Sequence, residues 1–136
     1  MLTATQLAMR QKPKPRTQTA PDEATVVTKA ALRAAGRLGI RNKVLARILG
    51  LSEPTLSRMS KGAYVLAPES KAFELAVLFI RFYRSLDGIV GGDDSVAADW
   101  LRNTNTILDG IPLELIQSVA GLINAIDYLD SRRAVV

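Results

Sequence analysis

Apolar residues recur at helical spacing along most of the chain, and six segments read as helices. In the first, Asp22–Leu38, Val26, Ala30 and Ala34 share one face, with Val27, Ala31 and Leu38 beside it. Asp22 and Glu23 open this segment and Lys29, Arg33 and Arg37 follow, which matches the helix macrodipole. The second segment, Arg41–Leu49, repeats Leu45, Ala46 and Leu49 on one side. Gly50 comes next, where a left-handed residue can end a helix, and Leu51 plugs the turn. The third, Glu53–Ser60, turns Leu56 and Met59 inward and Glu53, Thr55, Ser57 and Arg58 outward. Ser52 is placed to cap it, Pro54 suits its first turn, and Lys61-Gly62 stops it.

Pro68–Leu86 is apolar nearly all round, from Phe73 through Tyr83, so this helix is expected to be covered on several sides or to pair with its copy. Ser95–Asn103 is short, with Trp100 and Leu101 expected to dock inward. Pro112–Ser131 carries a stripe of Leu115, Val119, Leu122, Ile126 and Leu129, with Ile116 and Ile123 adjacent. Glu114, Gln117, Gly121, Asn124 and Tyr128 fall on another side of the same helix. A glycine inside a helix costs about 1 kcal/mol relative to alanine, so Gly121 is either tolerated or required by a close neighbour. No repeat and no strand-length alternating run is present, and the chain reads as all-α.

Composition shifts divide the chain into a disordered basic arm over 1–20, a first domain over 21–87 and a second over 88–136. Lys12-Pro13-Lys14-Pro15 lacks an apolar face, and Gly88, Gly91 and Gly92 mark the second boundary. Charge changes sign there. Residues 22–86 carry eleven bases against five acids, whereas residues 87–136 carry three bases against eight acids. A basic first part suits a polyanion, and an acidic second part would repel one.

Among 136 residues there is no cysteine and no histidine, which removes disulfides, thiolate and imidazole catalysis and the usual zinc sites. Neither Glu114 with Asp109 nor Ser118 forms a recognisable nucleophile and base pair, so no enzyme and no cofactor are expected. Asp93 and Asp94 are metal ligands or, far more commonly, acids at a helix start. Met1–Gln11 has no long apolar core and Leu75–Ile80 is too short to span a bilayer, so a cytoplasmic protein without a membrane partner is expected.

The hairpin of the second and third segments has the spacing of a helix-turn-helix. Short polar groups and an arginine just past a helix N-terminus are suited to base edges in a major groove. The candidate DNA-binding residues are Ser52, Thr55, Ser57 and Arg58 on the third segment, with Arg41, Lys43, Arg47 and Lys61 facing phosphates. A helical pair that packs and binds nothing would show the same apolar pattern.

Further on, Ala98-Asp99-Trp100-Leu101, Asn105, Asp109-Gly110-Ile111-Pro112-Leu113-Glu114-Leu115-Ile116, Gly121 and Tyr128-Leu129-Asp130 resemble the toxin-binding domain of Xre/MbcA/ParS antitoxins. The hairpin resembles the Xre half of that architecture. The resemblance implies an Xre-like helix-turn-helix bundle followed by a small helical toxin-binding domain. It further implies the antitoxin of a type II pair whose usual partner is a NAD-consuming RES-domain toxin. Such an antitoxin covers the toxin's active-site cleft and binds the operator DNA of its own operon as a dimer or higher assembly. On this reading the toxin-binding candidates are Gln117, Gly121, Asn124, Asp127, Tyr128, Asp130, Arg132 and Arg133. Asp127 and Asp130 would pair with basic groups of the NAD cleft, Tyr128 would fill an aromatic slot, and the two arginines would meet acids on its rim. The alternative is a stand-alone repressor whose acidic half only dimerises.

Overall fold

The computed structural model describes residues 22–134, so the arm expected over 1–20 lies outside the described residues. Seven helices are formed among them: α1 (Glu23–Arg37), α2 (Asn42–Leu49), α3 (Glu53–Ser60), α4 (Lys71–Ile89), α5 (Asp94–Arg102), α6 (Pro112–Leu115) and α7 (Val119–Ala134). The described chain has no strand, and its sole bridge pairs Asn105 with Gly110. None of these helices is long and apolar enough to cross a membrane.

The N-terminal ends of α1, α3, α4 and α5 are fixed by side-chain caps. Asp22, Ser52, Ser70 and Asp93 each accept a backbone N–H three residues on. Gly50 closes α2 at φ 70°, a left-handed conformation that glycine adopts without strain. Ser70 rather than Pro68 starts α4, since its hydroxyl accepts from Phe73 N–H at 3.1 Å. At the other end α4 runs three residues beyond Leu86.

α4 is the centre of the molecule. It packs most extensively on α7 and next on α1. Phe79 and Phe82 are fully buried, and Trp100 of α5 stands against Phe82 with ring centroids 6.3 Å apart. Leu38, Leu45, Leu49, Leu56, Met59, Leu86, Leu101, Ile116, Leu122 and Leu129 belong to the same apolar cluster. One core therefore spans both parts of the chain.

Two faces differ from the sequence expectation. α1 buries Ala24, Thr28, Ala31, Ala34 and Ala35, while Val26 remains 49% exposed. Small alanines allow α4 to cross closely, and Val26 is left outside while Val27 packs at the edge of the core. Thr28 fits this seam because its hydroxyl donates to Ala24 O and accepts from Leu66 N–H, so burial leaves no polar atom unmatched.

The Pro112–Ser131 segment is not one helix. It stops after Leu115, turns through Ile116–Ser118 and restarts as α7. Ser118 imposes the restart, since its Oγ accepts from Gly121 N–H at 3.0 Å. Ile116 is buried in this turn, and the expected stripe breaks there: Val119 is 50% and Ile123 44% exposed.

Candidate functional site

The hairpin positions the DNA-reading candidates as a connected set. Leu51 N–H bonds to Ala46 O at 2.8 Å across the turn, which sets the angle between α2 and α3. Ser52 Oγ accepts from Thr55 N–H at 3.2 Å and donates to Thr55 Oγ1 at 2.8 Å. Arg58 Nη2 in turn donates to Thr55 Oγ1 at 3.3 Å. This chain orders Ser52, Thr55 and Arg58 along one face of α3, from its cap to its last turn, while Leu56 and Met59 anchor the opposite face in the core. Ser57 is half-buried beside them.

Arg41, Lys43, Arg47 and Lys61 are exposed around the same hairpin. Arg41 occupies the cap position of α2, where its donor-only guanidinium cannot cap the helix, and is exposed. Ser60 Oγ donates to Asn42 Oδ1 at 3.3 Å, joining the end of α3 to the start of α2. The arrangement offers polar groups for bases in the middle and cations for phosphates on the flanks.

The acidic half is tied to the segment just before this hairpin by contacts that the sequence reading missed. Arg102 at the end of α5 donates from Nη1 to Leu38 O at 3.1 Å and from Nη2 to Gly39 O at 2.8 Å. It thereby satisfies carbonyls left open at the end of α1, immediately before the helix-turn-helix. A signal existed: Arg102 is the single base between Arg84 and Arg132, inside a run of acids. Arg37 Nη1 also donates to Tyr83 OH at 3.3 Å, and this contact raises the Arg37 pKa above its ordinary value.

On α7 the candidates separate into groups. Asn124, Asp127, Arg132 and Arg133 are exposed. Asp130 was expected to project outward, but its carboxylate turns back to α4. It accepts from Ser85 Oγ at 2.6 Å and from Arg81 Nη2 at 2.9 Å. Ser85 is buried, and its hydroxyl followed by the Arg81 guanidinium holds the Asp130 carboxyl below the usual carboxylate range. Asp130 is thus a strut between α4 and α7. Tyr128 is half-buried against the core rather than free.

Gln117 lies in the turn before α7 and donates to Leu113 O at 3.1 Å. Gly121 has a structural reason for its identity. A Cβ there would lie 1.9 Å from the Leu115 carbonyl oxygen, so the backbone of the preceding turn can pack only on glycine. The outward face of α7 includes Val119 and Ile123 next to Ala120, Asn124 and Asp127. Apolar and polar groups alternate on this surface, and Ile107 is 68% exposed in the loop before α6.

Comparison with protein families resolves the two halves. Residues 18–81 match the antitoxin Xre-like helix-turn-helix domain, and residues 85–134 match the antitoxin Xre/MbcA/ParS C-terminal toxin-binding domain. The chain belongs to the Xre/MbcA/ParS antitoxin family. No curated protein sequence matches it. Both domain matches reach into α4, so this antitoxin carries its two functional halves on one shared helix.

Proposed function

We propose that this antitoxin neutralises a NAD-consuming RES-domain toxin in the cytoplasm and represses its own operon as a DNA-bound homodimer. Neutralisation works by occlusion: the toxin-binding half covers the active-site cleft and the chain performs no chemistry itself. The observation that carries the reading is the pairing of a helix-turn-helix with a toxin-binding domain along α4. DNA recognition is assigned to Ser52, Thr55, Ser57 and Arg58, with Arg41, Lys43, Arg47 and Lys61 on phosphates. The toxin surface is assigned to Asn124, Asp127, Arg132 and Arg133, with Gln117 and Tyr128 at its edge, and is extended here to the exposed Val119 and Ile123. Asp130 and Gly121 shape that surface from beneath.

Expression of the adjacent reading frame, alone and together with this chain, tests the proposal. Growth arrest with loss of cellular NAD in the first case, and recovery of both in the second, is the expected result. A neighbour that leaves NAD intact, or an arrest that this chain does not relieve, contradicts it.

A further inference from the structure

A shallow groove of about 360 Å³ runs between α1 and α4, lined by Val26, Val27, Ala30, Val77 and Ile80 and rimmed by Arg81 and Arg84. Val26 and Val77 are 49% and 45% exposed, although each has an apolar neighbour across the groove. The bond from Arg37 to Tyr83 sets the end of α1 beside the second half of α4. Charge is therefore sorted along the groove. Asp22 and Glu23 lie one turn before Val26, and Glu74 one turn before Val77. Arg33 lies one turn after Ala30, at the same end as Arg84. Lys71 pairs with Glu74 at the first end, so Asp22 and Glu23 leave that end acidic, while Arg33 and Arg84 make the other basic.

We infer that this groove is the interface of a two-fold homodimer in which α1 and α4 of one copy lie antiparallel to those of the other. The inference rests on the homodimer of the functional reading and gives it a location. A two-fold contact uses the same patch on both copies, so the patch must complement itself. An antiparallel arrangement sets the acidic end of each copy on the basic end of its partner, whereas a parallel one opposes like charges. Arg81 already bonds Asp130 and Glu74 already bonds Lys71, so Glu23, Arg33 and Arg84 are the charges a partner meets. The valines supply the apolar centre and the charges supply register. The opposite flank of α1, with Thr25, Thr28, Lys29 and Leu32, faces Met59 and Ser60 at the end of α3. Dimerisation through the groove therefore leaves the DNA-reading surface open.

The test is sedimentation of the purified full chain, with circular dichroism and toxin binding as checks of folding. The wild type is expected at twice the 14.7 kDa chain mass. Val26→Glu and Val77→Glu, at exposed positions, are expected to keep their helicity and bind toxin while dimerising about 100-fold more weakly. Arg84→Glu and Glu23→Lys are each expected to weaken self-association. Mixed in equal amounts they are expected to form a heterodimer, because both charge pairs are then matched. A monomeric wild type that still neutralises toxin overturns this inference and leaves the antitoxin reading standing. Dimers unaffected by Val26→Glu also overturn it, and if that variant loses the toxin instead, the groove is a toxin contact.

Discussion

At the scale of single residues, Gly121, Asp130 and Arg58 act through different physics. Gly121 is a packing requirement, since a methyl group would overlap the Leu115 carbonyl. Backbone cannot yield as a side-chain tip does, so Gly121→Ala is expected to lower stability by about 3 kcal/mol, measured by urea unfolding. Asp130 is an electrostatic tie with a side chain 36% exposed, and solvent moderates it. Asp130→Asn is expected to cost about 1 kcal/mol. Because folding depresses its pKa, the tie contributes fully above the ordinary carboxylate range and is lost as pH falls through the folded value. The stability difference between wild type and Asp130→Asn should stay constant from neutral pH down to about 5, then shrink below about 4. Arg58 is exposed on α3 and is proposed to read DNA. Arg58→Ala is expected to lose about 1–3 kcal/mol of operator affinity and relax specificity, while Arg47→Ala weakens all sequences alike, as titrations at two salt concentrations would show.

At the scale of elements, α4 decides how separable the two halves are. Cutting the chain after Asp87 removes the last residues of α4 and everything that covers Phe82 and Leu86 from the α5 and α7 side. Leaving each of these side chains uncovered costs about 1.5–3 kcal/mol, so a 1–87 fragment is expected to melt well below the full chain and less cooperatively. Point changes, rather than truncation, separate the activities. Legibility in the sequence follows the same division. The boundaries of α2 and α3 were readable because Gly50, Ser52, Pro54 and Gly62 mark them with local backbone chemistry. The break before α7 was not readable. Every residue from Pro112 to Ser131 except Gly121 tolerates a helix, and the turn is made by Ile116 entering the core and Ser118 capping the restart. The buried face of α1 was read correctly at Ala31, Ala34 and Leu38 and wrongly at Val26, because valines outweigh alanines in a hydrophobic pattern while close crossing by α4 selects the alanines. Within the candidate site, the exposure of Ser52 and Arg58 was legible from the cap and the helical spacing, whereas Thr55 and Ser57, expected outward, are half-buried. The inward turn of Asp130 depends on Ser85 and Arg81, more than forty residues away, which no local pattern encodes.

At the scale of the whole molecule, DNA-reading and toxin-facing surfaces are held on one core, and Arg102 and Asp130 fasten the second half to the first. Removal of residues 132–136 leaves the bonds from Asp130 to Ser85 and Arg81 in place but lifts Arg133 from Gly88 of α4, so this test of the chain end is read together with circular dichroism. Toxin affinity that persists while inhibition fails is expected if Arg132 and Arg133 reach the cleft, and unchanged inhibition would move the site to Val119, Ile123, Asn124 and Asp127. The most direct measurement of the central claim is a titration of purified toxin with this antitoxin, following NAD consumption. Wild type and Arg58→Ala are expected to stop consumption at the same stoichiometry, while Ile123→Glu, folded by circular dichroism, inhibits at least tenfold more weakly. NAD consumption that continues at saturating wild-type antitoxin, or inhibition that fails with Arg58→Ala and survives Ile123→Glu, would contradict the account.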